Sequence, residues 1–221
     1  MKFYTVWPEL GTLCYRTRDL KNAVLAPLDP ESTAGLSGAA RGLVYQLELG
    51  LGTTSAWVAR DQVRALTGDD RRALRRLGVR VGRRVVYLAA GVKPLRVRRR
   101  LALCAAFWGP KVAGFAPAPA AVSMLAADEA EAALYEAIGF PVAGPLAIRA
   151  DVLERVDGEL RRLAGRGRFR PSARVVGLVA CTRERAAEVV AALGYRPVGD
   201  GSFTVAPRRR RRRRPELARA V

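Results

Sequence analysis

The 221-residue sequence contains no histidine, only four lysines and only three cysteines. Without histidine, neither a Ser-His nor a Cys-His nucleophile pair can form, and a zinc site with histidine ligands is excluded. None of the four lysines follows a glycine, so the Gly-Lys-Ser/Thr end of a phosphate-binding P-loop is absent. The sequence therefore predicts no catalytic residues, no metal and no cofactor, and we expect a protein that is not an enzyme.

Long apolar runs and paired cysteines are also missing. Cys14, Cys104 and Cys181 are odd in number and widely spaced, which fits neither a disulfide framework nor a CxxC zinc site. No segment approaches the roughly 18 consecutive apolar residues that a membrane-spanning helix needs. The arginine runs do not lie opposite bulky apolar residues, as a membrane-surface helix would require. We therefore expect a soluble protein of the reducing cytoplasm with no membrane partner.

What the sequence has in excess is positive charge. Against 20 acidic residues stand 39 basic ones, of which 35 are arginine, and the formal net charge is +19 at pH 7. Half of the residues are hydrophobic, so a chain of this length can also bury a core. A GC-rich genome, in which arginine codons are plentiful, is an alternative cause of the arginine bias. Whatever its origin, the charge attracts polyanions, and nucleic acid is the expected partner.

The pattern of prolines, glycines and apolar residues divides the chain into five parts. We predict an N-terminal extension at 1–35, a basic helical and β module at 36–108, an Ala/Pro/Gly linker at 109–121, a helical module at 122–207 and a disordered arginine-rich tail at 208–221. In the first module we predict a helix from Ser37 to Gly50, a helix over Ser55–Leu66 that includes Trp57, a helix from Thr67 to Leu77, an extended segment over Val79–Leu88, and a helix over Leu95–Trp108 with Arg96, Arg98, Arg99 and Arg100 on its outer face.

The second module predicts a C-terminal winged helix-turn-helix. We expect helices over Ala126–Ile138, Asp151–Leu163, from Pro171 to Val179 and over Arg183–Leu193, an extended piece at Pro145–Ile148, and a hairpin of Tyr195–Val198 and Ser202–Val205 around an Asp-Gly turn. Helix, tight turn, helix and hairpin is the order of a winged helix-turn-helix, in which the second helix enters a groove of the nucleic acid. The predicted fold class is therefore α+β, mainly helical, with short β-hairpins.

Acidic residues offer no catalytic alternative. Without a P-loop, Asp128-Glu129-Ala130-Glu131 is predicted to supply the first-turn acids of a helix rather than the metal-binding box of a helicase. Asp69 and Asp70 likewise lie where a helix start favours carboxylates.

The candidate binding residues come from three basic clusters and the second helix of the predicted helix-turn-helix. Fourteen basic and three acidic residues lie between Arg60 and Arg100. The loop around Phe169 places a ring among arginines, where a base could stack on it, or where the ring could instead enter the core. The candidates are Arg71, Arg72, Arg75, Arg76, Arg80, Arg83, Arg84, Arg98, Arg99, Arg100, Arg166, Arg168, Phe169, Arg170, Arg183, Arg185, and the tail residues Arg208, Arg209, Arg210, Arg211, Arg212, Arg213 and Arg214.

An ordered series of short segments resembles the C-terminal region of alphaproteobacterial DEAD/DEAH-box helicases related to the mitochondrial RNA-degradosome helicase. The series spans about residues 24–207 and comprises Leu36–Leu47, Arg71–Gly82, Val86–Leu88 through Lys93-Pro94, Tyr135–Phe140, Gly144–Arg149, Asp151–Arg155 and Ala192–Arg196. Such helicases are ATP-dependent, with this region following two motor lobes. Neither lobe is present in these 221 residues, so the resemblance implies a nucleic-acid-engaging domain without ATPase or unwinding activity.

Two functional hypotheses follow. The first is a non-catalytic protein that binds RNA or DNA, largely through phosphates. The alternative is a regulatory subunit that docks on a helicase motor or an RNA-degrading complex through its apolar helices, with the charge serving solubility.

Overall fold

The computed structural model describes residues 25, 28, 30–108, 112, 116–118, 120–126 and 131–205. Its elements are α1 (Pro30–Thr33), α2 (Gly38–Leu49), β1 (Thr53–Ser55), α3 (Arg60–Ala65), α4 (Gly68–Arg76), β2 (Val79–Val81), β3 (Val85–Leu88), a 3-10 turn (Ala89–Val92), α5 (Pro94–Trp108), β4 (Ser123–Leu125), α6 (Ala132–Ala137), β5 (Val142–Ala143), β6 (Leu146–Ile148), α7 (Ala150–Ala164), α8 (Ala173–Val179), α9 (Arg183–Ala192), β7 (Tyr195–Val198) and β8 (Ser202–Val205). The protein is thus a mixed α+β structure with small antiparallel sheets.

Helix α2 precedes the first sheet and starts and ends where the sequence predicts. The Ser37 side chain accepts a hydrogen bond from the Ala40 backbone at the start of α2, and the helix ends at Gly50. The sheet has the strand order β1–β3–β2, and its register pairs Thr53 with Tyr87 and Val79 with Leu88. The strands predicted over Val79–Leu88 are confirmed.

A first hydrophobic core forms around this sheet. It buries Leu43 and Leu47 of α2, Leu74 of α4, Leu88 of β3 and Cys104 of α5. The predicted N-terminal extension and the predicted second module both contribute to it, through Leu25 and Leu28 and through Tyr135, Ile138 and Phe140 near α6. Residues distant in sequence therefore share one apolar interior.

The second core lies between α7 and the C-terminal elements. Strands β4, β6 and β5 form a three-stranded antiparallel sheet in that spatial order. Helix α7 buries Val152, Val156 and Leu160 against residues of α8 and α9, including Val175 and Val189. Strands β7 and β8 pair as an antiparallel hairpin with the predicted boundaries, and the register joins Tyr195 to Val205. The predicted α7, α8, α9 and hairpin are confirmed, with shifts of one or two residues.

One predicted helix begins later than expected, and two strands were not predicted. The helix predicted over Ser55–Leu66 is wrong at its start, because Thr53–Ser55 forms β1 against β3 and the helix begins only at Arg60. Thr53 and Thr54 are β-branched and follow Gly52, a combination that suits an extended strand after a turn. Of the helix predicted over Ala126–Ile138, Ala132–Ala137 forms α6, and residues 127–130 lie outside the described part of the chain; β4 and β5 were not predicted. Most of the predicted linker lies outside the described residues.

Candidate nucleic-acid interface

Helix α4 carries the densest group of exposed arginines, and a capping box fixes where it begins. The Asp70 backbone N–H donates to Thr67 Oγ1 at 3.2 Å, and the Thr67 backbone N–H donates to Asp70 Oδ2 at 2.9 Å. The hydrogen bond from the Thr67 backbone lowers the pKa of the Asp70 carboxyl, so the cap stays ionised at neutral pH. Leu74 packs in the first core and holds one face of the helix inward.

We use the name α4 surface for Arg71, Arg72, Arg75 and Arg76 of α4 together with Arg80 of β2. All five are exposed. Arg71 donates to the Val63 carbonyl at 2.9 Å, Arg80 donates to the Arg75 carbonyl at 3.3 Å, and Arg72 pairs with Asp69. The side chains of Arg75 and Arg76 have no hydrogen bond or ion pair with any residue that the structure describes. Their guanidinium groups are therefore available to an external anion.

An open depression of about 380 Å³ lies on the α4 surface, lined by Arg72, Arg75 and Arg76. The surface that lines it is mainly apolar, so the carbon chains of these arginines form its wall. The guanidinium groups themselves have the planar fork geometry that matches phosphate oxygens. Asp69 neutralises part of this charge through Arg72. The sequence named these arginines as candidates only because they belong to the dense basic cluster, and their binding role stays a prediction.

Arg83 and Arg84 occupy the turn between β2 and β3, and α7 holds this turn in place. Glu154 accepts hydrogen bonds from the backbone N–H groups of Arg83, Arg84 and Val85 at 2.9, 2.7 and 2.7 Å. A side chain at Gly82 would collide with the Glu154 carboxylate, since a Cβ there would lie 2.2 Å from its Cδ. The backbone donors of this turn, which could otherwise hold an anion, are therefore occupied by a carboxylate of the protein.

The two side chains of this turn point to different environments. Arg84 Nε donates to the buried Asp157 at 2.7 Å, and its Nη2 donates to the Leu193 carbonyl, so Arg84 connects α7 and α9 to the first sheet. Arg83 is 66% exposed, and its Nε lies 3.9 Å from Asp157. Of the two predicted binding residues, Arg83 faces solvent and Arg84 is engaged within the fold.

Helix α5 differs from its prediction. Arg98 is exposed and Arg99 is half-buried, but Arg100 is fully buried, so its predicted place on the outer face is wrong. Arg100 Nη1 donates to Thr53 Oγ1 at 2.9 Å, whereas its Nε and Nη2 have no partner among the described residues. Desolvation lowers the pKa of Arg100 to about 10. A guanidinium enclosed in this way cannot reach a phosphate.

Glycines make room for this buried guanidinium. A Cβ at Gly52, Gly91 or Gly139 would lie 2.8, 2.1 or 2.6 Å from an Arg100 nitrogen. Burial raises the pKa of Cys104, one helical turn further along, to about 12. The glycines are therefore part of the packing around Arg100, a role that the sequence analysis missed.

The C-terminal elements place two predicted arginines at the start of α9. The Thr182 side chain caps the helix by accepting from the Arg185 backbone N–H at 3.4 Å. Arg183 and Arg185 lie exposed in the first turn, while Ala186, Val189 and Val190 are buried on the other side. The short connection from α8 bends at Ala180, whose φ of 51° lies in the left-handed region. The turn between the two helices thus leaves the α9 N-terminus open to solvent.

The loop before α8 pairs with the hairpin. The Phe169 backbone N–H donates to the Phe203 carbonyl at 3.0 Å, and the Phe203 N–H donates back at 2.6 Å. The Phe169 ring is buried, edge-on to Tyr195 at 5.3 Å between centroids. Of the two alternatives for Phe169, core packing is confirmed, and this ring does not offer a face to a base.

Arginines flank Phe169 on the surface. Arg168 and Arg170 are exposed and lie at the hairpin tip, where Arg170 donates to the Asp200 carbonyl at 2.8 Å and Arg168 lies 3.5 Å from the Asp200 carboxylate. Arg166 is exposed as well. The predicted residues Arg208–Arg214 lie outside the described part of the chain.

Trp57 is a surface residue that the sequence analysis missed. It lies in the turn between β1 and α3 and is 72% exposed. The helix predicted over Ser55–Leu66 included this residue, so its position on a turn was missed. The Gly-Thr-Thr sequence before it is the signal that indicates a strand and a turn instead.

Comparison of this chain with protein-family models, with curated proteins and with solved structures gives no match. The resemblance to the helicase C-terminal region therefore stays a prediction. Within the ranges that the structure covers, no helix is both long enough and apolar enough to cross a membrane.

Proposed function

We propose that the protein is a non-catalytic nucleic-acid-binding protein that holds RNA or DNA mainly by its phosphates. The observation that carries this proposal is the α4 surface, on which Arg75 and Arg76 are exposed and make no ion pair with a described residue. Arg84, by contrast, is held within the fold by the carboxylate of Asp157. Exposed guanidinium groups without an ion pair suit a polyanion that supplies several phosphates at once.

A winged helix-turn-helix at the C-terminus is the finer part of this proposal. The order α8, short turn, α9 and hairpin supports it, and the pairing of Phe169 with Phe203 adds a third strand-like segment beside β8. In this arrangement α9 enters the groove with Arg183 and Arg185 toward the bases and phosphates, because recognition helices make contacts through their N-terminal residues. Arg168 and Arg170 beside the hairpin tip then contact the adjacent backbone.

Fluorescence anisotropy with labelled RNA and DNA oligonucleotides across a salt series tests the proposal. We expect tight binding at low salt and an affinity that falls linearly with salt on logarithmic axes. Micromolar or weaker binding at low salt, without a salt dependence, would end the proposal. Turnover above background in an ATPase assay would contradict the non-catalytic part.

A protein partner is tested separately. Because of the predicted resemblance to a helicase region, the protein partner that we propose to test is a helicase motor or a degradosome component in the cytoplasm. Co-purification after nuclease treatment distinguishes the two modes, because a docked protein stays bound whereas a protein tethered through nucleic acid is released.

A further inference from the structure

Trp57 exposes most of its indole ring to solvent. Its neighbour Ala59 is fully buried in the first core and Val58 is half-buried, so the backbone at this turn is anchored while the ring stands outside. Tryptophan is on average a well-buried residue, because its large apolar surface is costly to hydrate. At 72% exposure, Trp57 leaves a large aromatic face open to a ligand.

The turn that carries the ring is held by hydrogen bonds on both sides. The Ala56 backbone N–H donates to the Arg84 carbonyl at 2.8 Å, the Trp57 N–H donates to Ser55 Oγ at 3.2 Å, and the Arg60 N–H donates to the Trp57 carbonyl at 3.3 Å. The backbone is thus fixed before a ligand arrives. Because only the two side-chain torsions remain to be ordered, binding to the ring costs little conformational entropy.

Exposed arginines lie near the turn that carries the ring. Arg60 begins the helix that follows, and its side chain is 56% exposed, with a 3.7 Å contact to the still more exposed Asp61. Across the turn, Ala56 is bonded to the backbone of Arg84, whose neighbour Arg83 is 66% exposed. Proteins hold unpaired nucleotides with an exposed aromatic ring and nearby guanidinium groups, because the base stacks on the ring and the phosphates contact the arginines.

We propose that an unpaired base of a single-stranded nucleic acid stacks on the indole of Trp57, while the adjacent phosphates contact Arg60 and Arg83. This inference rests on the proposed nucleic-acid binding and adds a preference for single strands. In a duplex the base faces are covered by their neighbours, so only a strand with unpaired bases gains from the ring.

The test compares Trp57→Leu, Trp57→Phe and Tyr45→Leu with the wild type by anisotropy, on an oligothymidylate and on a blunt-ended duplex. Leucine keeps an apolar side chain without a π face, phenylalanine keeps a π face, and Tyr45 is another exposed aromatic residue, at 58%. We expect Trp57→Leu to weaken single-strand binding by about 5- to 150-fold, the equivalent of about 1–3 kcal/mol per stacked base. Trp57→Phe retains most of the affinity, and Tyr45→Leu retains all of it.

Further measurements separate the effect of base stacking from effects of charge and of folding. Because Trp57 is uncharged, Trp57→Leu leaves the salt dependence and the duplex affinity unchanged. The oligothymidylate quenches the tryptophan fluorescence of the wild type more than that of Trp57→Phe, because the variant lacks the indole on which the base stacks. Circular dichroism checks that each variant is folded.

The outcomes distinguish this inference from the proposed function. If the wild type binds the strand, but Trp57→Leu binds equally well and quenching is the same with Trp57→Phe, stacking on Trp57 is wrong and nucleic-acid binding stands. An equal loss on strand and duplex, or an equal loss with Tyr45→Leu, also overturns stacking at this position. If the wild type binds neither nucleic acid, the proposed function itself fails.

Discussion

Replacing Arg75 and Arg76 together by glutamine removes two positive charges from the α4 surface without removing an internal contact. Both side chains are exposed, and neither is paired with a residue of the described ranges. Glutamine has a helix propensity close to that of arginine, so α4 is retained. We expect the free energy of unfolding to change by no more than about 0.5 kcal/mol, as is usual for surface substitutions.

The effect on binding follows from counterion release. Each phosphate contact contributes about 0.9 to the slope of log K against log salt on a duplex and about 0.7 on a single strand. Losing two contacts lowers the slope by about 1.8 or about 1.4. A fourfold rise in salt then weakens the wild type roughly twelvefold more than the variant on a duplex, and roughly sevenfold more on a strand. Anisotropy at several salt concentrations measures this difference.

The matched control is the double variant Arg155→Gln, Arg161→Gln on α7, which loses the same net charge. Arg155 pairs with Asp151 and Arg161 with Asp157. Each carboxylate keeps another arginine, since Asp151 also pairs with Arg149 and Asp157 with Arg84. We expect the control to leave the slope nearly unchanged. Equal slopes in the two double variants would refute the reasoning, because net charge alone would then explain the binding.

Three further predictions concern the fold. Gly139→Ala destabilises the protein by about 1–3 kcal/mol, because φ is +89° and the new Cβ would lie 2.6 Å from a nitrogen of the buried Arg100. Gly158→Ala, in open space within α7, stabilises the protein by about 0.5–1 kcal/mol. Urea unfolding measures both, and equal effects would contradict this packing. Glu154→Gln costs about 1.5–3 kcal/mol in the same assay, since the amide NH₂ cannot accept from the backbone N–H groups of the β2–β3 turn; an unchanged midpoint would show that this contact is not needed. Burial raises the pKa of Cys104 to about 12, so iodoacetamide at about pH 9 modifies this thiol only after unfolding, and mass spectrometry showing rapid native labelling would contradict its burial.

Local signals in the sequence predicted a large part of the fold. Ser37 and Thr67 were predicted to cap α2 and α4, and both side chains do so. The Asp-Gly turn gave the boundaries of the β7–β8 hairpin. Capping and tight turns depend on residues within a few positions of each other, which is why a single sequence contains the information.

Contacts between distant segments were not predictable in this way. The arginine run of α5 gives no sign that Arg100 alone is buried, because its partner Thr53 lies 47 positions earlier. Strand β1 forms against β3, more than 30 positions later, and this pairing overrides the helical pattern around Trp57. Short strands are decided by their partners rather than by intrinsic preference.

The candidate site likewise has one part that the sequence predicts and another that depends on contacts between distant segments. The α4 part of this surface follows from helical spacing, since arginines at positions 71, 72, 75 and 76 recur one turn apart on sides of the helix that Leu74 does not occupy. That Arg84 is engaged by Asp157 depends on a contact across 73 positions, so the sequence offered no reason to separate it from Arg83. Phe169 required its pairing with Phe203 before its ring could be assigned to the core.

The most direct test of nucleic-acid binding is the salt dependence of oligonucleotide affinity, measured by anisotropy in parallel for the wild type and for a variant lacking Arg208–Arg214. We predict tight low-salt binding by the wild type, and a slope that the deletion lowers by up to about 6 on a duplex without abolishing it, because the α4 surface remains. Circular dichroism should be unchanged by the deletion. Weak wild-type binding that does not respond to salt would contradict nucleic-acid binding. Loss of the entire slope on deletion would show that the α4 surface does not contact phosphates.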